Sequence, residues 1–499
     1  MDLDSLYEAI QVVRGRCPEV PLLAVLWTRM KHPLHPVQLE LLGPARPPAG
    51  PLRRAAAWLR SLLYALFLTG CLLLLRARHS GARRALLSQP FDLVAKSWQF
   101  EAGEGAKEDF YFGDLQRRLR EKGLRMLTLY SYPTRASWRG PRLTSDRESW
   151  RLHEMTLLPL SAPVRFVFSQ WGTSRRLNRL ARESSGLTAE VAKRAMLDCL
   201  SHQNLRQGLS YSLFQRAARI WAPKGMLTLY EGHPWEQFAW TAAKEANPSC
   251  TTIGYQHTIL LPYQLSLLRP GASSRVPANP DVVLCLGPRT AELLGSGHTG
   301  ARLIPFGTFR KSAASNGADA PTPARKTVLV LPEAYPEEMA VLFGAAARAA
   351  GRLPDHHFIL RCHPIIPSPA AQVRSSIGRD PSEIPNLEVS IGRPVEEDFA
   401  RSSVLLYRGS SSVLYAVRKG LKPVYLKERS MPDTDPLSAL SRWREVAEGP
   451  EDLERILRLY AGAGEAPSRQ EWTVASEFVR SYAIPVGDSA LNALLEALS

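Results

Sequence analysis

The chain has 499 residues, 45% of them apolar, with a formal charge of +16 at pH 7. That length exceeds one typical core and the apolar content excludes general disorder, so two domains are expected. A pI near 9.7 invites a nucleic-acid reading, but 51 of the 63 basic residues are Arg, scattered along the whole chain, and no basic run is interleaved with aromatics as a single-strand-binding groove requires. Anionic lipid and anionic sugar donors suit such a chain better, and nucleic acid is not expected as a partner.

The N-terminus, Met1-Asp2-Leu3-Asp4, is acidic where a signal peptide would be basic. Cys17, Cys71, Cys199, Cys250, Cys285 and Cys362 are widely spaced with no C-x-x-C, so neither a zinc knuckle nor a disulfide framework is expected. Both features fit a cytoplasmic, reducing location.

Residues 1–90 are read as an N-terminal region of their own, with 12 basic against 5 acidic groups. Pro44–Pro51 reads as a linker. Ser61–Leu75 is then a run of 15 uncharged, apolar residues flanked by Arg53, Arg54 and Arg60 and by Arg76, Arg78, Arg83 and Arg84. As a helix it reaches roughly 22 Å, short of the ~30 Å of a hydrocarbon core, so spanning is not expected. Two readings stay open: a helix lying peripherally on an anionic leaflet, and a core helix buried all round.

From Phe91 onward, strand-like and helix-like runs alternate. Strands are expected at Phe91–Trp98, Leu124–Tyr130, Met226–Tyr230, Thr251–Tyr255, Asp281–Cys285 and Arg302–Phe306, with helices between them. Residues 150–220 are less regular, with helices expected around Arg175–Glu183, Thr188–His202 and Ser212–Ala222. Residues 311–325, small, polar and Pro-bearing, read as a linker between domains at 91–310 and 326–499. The alternation resumes with strands at Thr327–Leu331, His357–Arg361, Leu387–Ser390, Val404–Tyr407 and Pro423–Leu426. The fold class is therefore α/β, two tandem doubly wound, Rossmann-like domains.

Three constellations follow strand ends, the edge where ligands bind in such sheets. After Val404–Tyr407 comes Arg408-Gly409-Ser410-Ser411-Ser412: a glycine turn and three hydroxyls at a helix start, where unpaired N–H groups favour a phosphate. After Phe358-Ile359-Leu360 comes Arg361-Cys362-His363-Pro364, whose imidazole is placed to donate to a phosphate or to protonate a leaving group. After Met226–Tyr230 comes Glu231-Gly232-His233-Pro234, with Glu231 as candidate general base and His257, one strand later in Gly254-Tyr255-Gln256-His257, as its rival. The D-x-D run Asp433-Thr434-Asp435 is too short to argue for a metal, and Asp435 is expected at donor hydroxyls instead. No Walker, dinucleotide or zincin motif is present in the sequence.

Taken together, Glu231-Gly232, His363-Pro364 and Ser410-Ser411-Ser412 resemble, in that order, the acidic-Gly, HP and serine motifs of GT-B glycosyltransferases that use CMP-sugars. These include bacterial sialyltransferases, polysialyltransferases and capsule Kdo transferases. Residues 91–460 also resemble a bacterial surface-carbohydrate biosynthesis family through Tyr111-Phe112-Gly113-Asp114-Leu115, Tyr230–Glu236 and Gly254–His257.

The resemblance implies an inverting, metal-independent transferase of a sialic, nonulosonic or Kdo-type sugar acid in lipopolysaccharide or capsule polysaccharide synthesis. It places Glu231 on an acceptor hydroxyl and His363 and the serines on the CMP phosphate. It needs no cofactor beyond the CMP-sugar itself. Arg310, Arg361 and Arg408 are expected near the donor carboxylate. A lipid-linked glycan acceptor would suit peripheral attachment through residues 61–75 at the inner face of the cytoplasmic membrane. The competing expectations are a transferase using CDP-glycerol or a UDP- or GDP-sugar, and a catalytically silent membrane scaffold.

Overall fold

The computed structural model describes residues 3–16, 50–98, 109–131, 150–262, 264, 266–268, 279–295, 297–298, 300–309, 326–461 and 469–499. Arg310, the expected linker 311–325 and most of Pro44–Pro51 lie outside the described residues. Two compact units form. One comprises Met1–His257, Gln264–Arg310 and Pro485–Ser499; the other comprises Thr258–Tyr263 and Lys311–Ile484.

The first unit holds a seven-stranded sheet in the order β3-β2-β1-β4-β5-β6-β7, every neighbouring pair parallel. Its strands are β1 (Leu93–Trp98), β2 (Met126–Ser131), β3 (Arg151–His153), β4 (Gly225–Leu229), β5 (Thr251–Gln256), β6 (Val282–Cys285) and β7 (Arg302–Pro305). Helices cover both faces of such a sheet, which is why its central strands read as unbroken apolar runs rather than alternations. Every residue of β4 is buried.

The second unit holds a six-stranded parallel sheet, β10-β9-β8-β11-β12-β13. These strands are β8 (Thr327–Leu331), β9 (His357–Leu360), β10 (Leu387–Val389), β11 (Val404–Tyr407), β12 (Lys422–Leu426) and β13 (Glu445–Ala447). Both sheets reverse direction of growth beside their first strand, at β1/β4 and at β8/β11. Those are the crevices where doubly wound sheets take ligands.

Three expectations are corrected. Residues 1–90 are not a separate body among the described residues: Leu3–Arg16 and Pro51–Arg78 are helices packed onto the first unit, the former through Leu6, Ile10 and Val13. The C-terminal domain ends before 499, because Pro485–Ser499 returns to the first unit. There Arg302 pairs with Glu496 at 2.9 Å, Arg118 donates to the Val486 carbonyl, and Leu491 and Leu494 join the core. In the less regular stretch, one helix runs from Ala162 to Glu183 and another from His202 to Trp221, both longer than their amphipathic halves announce.

Candidate functional site

Chain direction leaves the first sheet's switch point at the end of β4, and Gly232 makes the turn there. Its φ is +82°, and a Cβ at this position would stand 2.2 Å from the Ser266 Oγ. The next residues open the helix Pro234–Ala246, with Pro234 in its first turn. Glu236, three residues past the N-cap and fully buried, turns back onto the loop. Its Oε1 accepts from the Glu231 N–H at 3.0 Å, and its Oε2 accepts from the N–H groups of Gly232 and His233 at 2.9 and 3.0 Å. A carboxylate meeting three amides at a helix N-terminus is a strong fixed anchor.

The loop so fixed presents Glu231 to two histidines. Its Oε1 lies 2.8 Å from the His257 Nε2 and its Oε2 lies 3.1 Å from the His233 Nε2. The Glu231 and His257 side chains are 14% and 4% exposed, and His233 is the most open of the three. The His257 ring packs against Tyr111, with centroids 4.6 Å apart. Tyr111 is set by Asp109, whose Oδ1 accepts the amides of Tyr111 and Phe112 while its Oδ2 accepts from the Tyr130 hydroxyl at 3.0 Å. Thus the two sequence candidates for the base, Glu231 and His257, stand within 2.8 Å of each other, and His233 is hydrogen-bonded to the other oxygen of Glu231. Such a triad can take a proton from a hydroxyl onto the carboxylate or relay it to an imidazole.

Close by in the fold, on β1, Lys96 is buried and pairs with the buried Glu154 at 2.9 Å. Its ammonium also faces the rings of Trp235 at 4.1 Å and Trp98 at 4.9 Å. A single Lys inside a strand carries no pattern, so this cation is not legible in the sequence.

In the second unit, β11 ends in Tyr407, and Gly409 lies between two carboxyl groups. The Glu338 Oε1 accepts the Gly409 N–H at 3.2 Å, and a Cβ on Gly409 would meet the Glu333 carboxylate at 3.2 Å. Burial, reinforced by the negative charge of Glu333, pushes the Glu338 carboxyl up to about 8. Neither Glu333 nor Glu338 was picked from sequence. The available signal was position: Glu333 follows β8 at the switch point, and Glu338 lies in the first turn of the helix Pro336–Arg352.

The serine run opens a helix of only seven residues, Ser412–Arg418, so its dipole is small. Ser410 is buried, Ser411 exposed and Ser412 half-buried. His363, past the end of β9, accepts the Ile365 N–H on Nδ1 at 3.3 Å, which puts the proton of the neutral ring on Nε2. Partial desolvation lowers its pKa below the ordinary imidazole value against the opposing pull of Glu333. At neutral pH it is an uncharged Nε2–H donor.

The remaining expected donor contacts are engaged elsewhere. Arg408 is fully buried and donates to the carbonyls of Leu426 and Pro432 at 2.6 and 2.8 Å. Arg361 donates to Asp398 at 2.6 Å and to the Arg393 carbonyl at 2.7 Å. Asp435 is fully buried, accepting from the Tyr407 hydroxyl at 2.7 Å, from the Leu437 amide at 2.8 Å and from Arg444. All three side chains are thus engaged by groups of the protein itself. Arg310 lies outside the described residues.

No family model matches the sequence, and no curated protein matches it. Solved structures are similar in fold at low identity. A glycotransferase of kitacinnamycin is 14% identical, covers 82% of this chain and 100% of its own, and has a TM-score of 0.44. An α,α-trehalose 6-phosphate synthase from Burkholderia multivorans is 11% identical over 82% of this chain and 96% of its own, with a TM-score of 0.45. A UDP-N-acetylglucosamine 2-epimerase from Listeria monocytogenes is 12% identical over 82% and 96%, with a TM-score of 0.42.

Proposed function

We infer that the chain is an inverting glycosyltransferase that moves a sugar from a CMP-activated donor to a glycan hydroxyl. The observation that carries this reading is the Glu231 carboxylate held between His257 and His233 on a loop clamped by Glu236. In this reading Glu231 takes the acceptor proton as the hydroxyl attacks the anomeric carbon, and His257 steadies the carboxylate. The second unit holds the leaving phosphate through the His363 Nε2–H, the Ser411 and Ser412 hydroxyls and the backbone beside them.

The donor class follows from charge. Around Gly409 stand neutral donors, two carboxyls and one buried guanidinium, that of Arg408, whose carbonyl partners leave its charge in place. Such surroundings favour a leaving group with one phosphate over one with two. That supports CMP over UDP or GDP and keeps the sialic, nonulosonic or Kdo class as the transferred sugar, with its carboxylate partner found elsewhere than Arg361 or Arg408.

Donor screening is the test. CMP release from a CMP-sialic, CMP-nonulosonic or CMP-Kdo donor, lost in Glu231→Gln and His363→Ala, is expected. Turnover only with UDP- or GDP-sugars or with CDP-glycerol sinks the donor assignment. A cellular phenotype that survives both substitutions supports the silent scaffold instead.

A further inference from the structure

The helix Pro51–Arg78 is apolar on two faces, and among the described residues one of them packs onto the first unit. Ser61, Ala65, Cys71 and Leu72 are buried, Ser61 donates to the Leu200 carbonyl at 2.5 Å, and Trp58 donates to the Val167 carbonyl at 3.2 Å. On the opposite side Leu59, Leu63, Leu66, Phe67, Leu73 and Leu74 are each at least 45% exposed. Their spacing of three and four residues keeps them on one stripe along the helix. Ser61, Thr69 and Arg76 all bond to groups of the first unit, so this helix, long and apolar enough to cross a bilayer, is packed here as part of that unit.

The neighbouring helix Ala162–Glu183 adds the second observation. Trp58 packs edge-on against Phe168 and Trp171, so the two helices lie side by side. On that helix Arg165, Arg175, Arg176, Arg179 and Arg182 are exposed, and so is Phe168. No Asp or Glu occurs from Gly50 to Phe91 or from Met155 to Arg182. An apolar stripe bordered by cations and lacking anions matches a bilayer surface with negative headgroups: acyl chains for the leucines, phosphates for the arginines.

We propose that this face docks on an anionic lipid bilayer, the helix Pro51–Arg78 lying in the plane of the interface. The proposal goes beyond the transferase reading and does not depend on it, since it concerns where the chain works rather than what it transfers. A second copy of the chain and a further protein segment are the rival occupants.

The experiment is co-sedimentation of the full chain with vesicles of phosphatidylcholine alone and with about 30 mol% phosphatidylglycerol. Binding to the anionic vesicles at least tenfold stronger, falling in about 0.5 M NaCl, is expected. Leu63→Glu/Leu74→Glu is expected to lower binding to both vesicle types at least tenfold. Arg175→Glu/Arg179→Glu is expected to lower the preference for anionic lipid at least tenfold while leaving weak binding to neutral lipid. Circular dichroism melts matching the native chain show that these exposed changes leave the fold intact. No vesicle binding by the native chain overturns the proposal. So does a dimer that the leucine pair dissociates while lipid binding is unchanged, which assigns the stripe to a second copy.

Discussion

Glu236 accepts the amide of Glu231 at 3.0 Å, so one carboxylate sets the loop on which the other is displayed. The two glutamates should therefore fail differently. Glu231→Gln removes the base and keeps the loop, so turnover should fall by about 10²–10⁴ with an unchanged melting temperature. Glu236→Gln places an amide NH₂ where an N–H must be accepted, leaves at least one buried amide unpaired, and should cost about 2–3 kcal/mol of stability. Paired rate and denaturation measurements check the split. A Glu236→Gln protein as stable as the native one would refute the clamp.

Gly232 and Gly123 separate backbone strain from crowding. Both have positive φ, +82° and +78°, but a Cβ at Gly123 meets nothing within 4 Å, whereas at Gly232 it meets Ser266. Gly123→Ala should cost about 1 kcal/mol. Gly232→Ala should cost clearly more and lower activity as well, because the shift needed to relieve the contact moves Glu231. Chemical denaturation of the two variants side by side gives the comparison.

His153, at the end of β3, stacks on His79 with ring centroids 5.9 Å apart. Burial, with a contribution from the His79 charge, pushes its pKa down to about 4. The unfolded chain then binds the extra proton first, so stability is lost as pH falls from the ordinary imidazole value of about 6.5 towards about 4. The loss should approach about 3 kcal/mol. His153→Asn, which keeps an acceptor for the Met155 amide, should flatten the fall in melting temperature between about pH 7 and about pH 5.

The tandem sheets were legible because parallel, doubly covered strands leave long apolar runs such as Val404–Tyr407 and Met226–Leu229. Strands of three residues are too short to show a period: of these, Leu387–Val389 was expected, whereas Arg151–His153 and Glu445–Ala447 were not. Glu231, His257 and His363 stand out in the sequence because each follows a strand end. The contacts of the arginines were not legible because the sequence shows a cation's position and not its partner. Arg361 meets Asp398, 37 residues away, and Arg408 meets carbonyls 18 and 24 residues on. Exposure of the leucine stripe on Pro51–Arg78 was equally invisible, since a two-faced apolar helix has the same composition whether one face or both are covered.

Glu338 gives the remaining prediction its sign. Its folded carboxyl is pushed up to about 8 from an ordinary value of 4.5, with burial the larger cause and Glu333 the second. The folded chain therefore holds a proton that the unfolded chain releases, and the stability this proton supports is full below about 4.5 and lost as pH rises through about 8. Glu338→Gln keeps an oxygen for the Gly409 amide and cannot ionise. It should match the native chain at about pH 5 and exceed its stability by roughly 2–4 kcal/mol at about pH 9. Urea unfolding across this range measures the difference. If the gain is the same at every pH, Glu338 is ionised throughout, and the charge argument for a leaving group with one phosphate becomes stronger rather than weaker, since a second full anion would then stand beside Gly409.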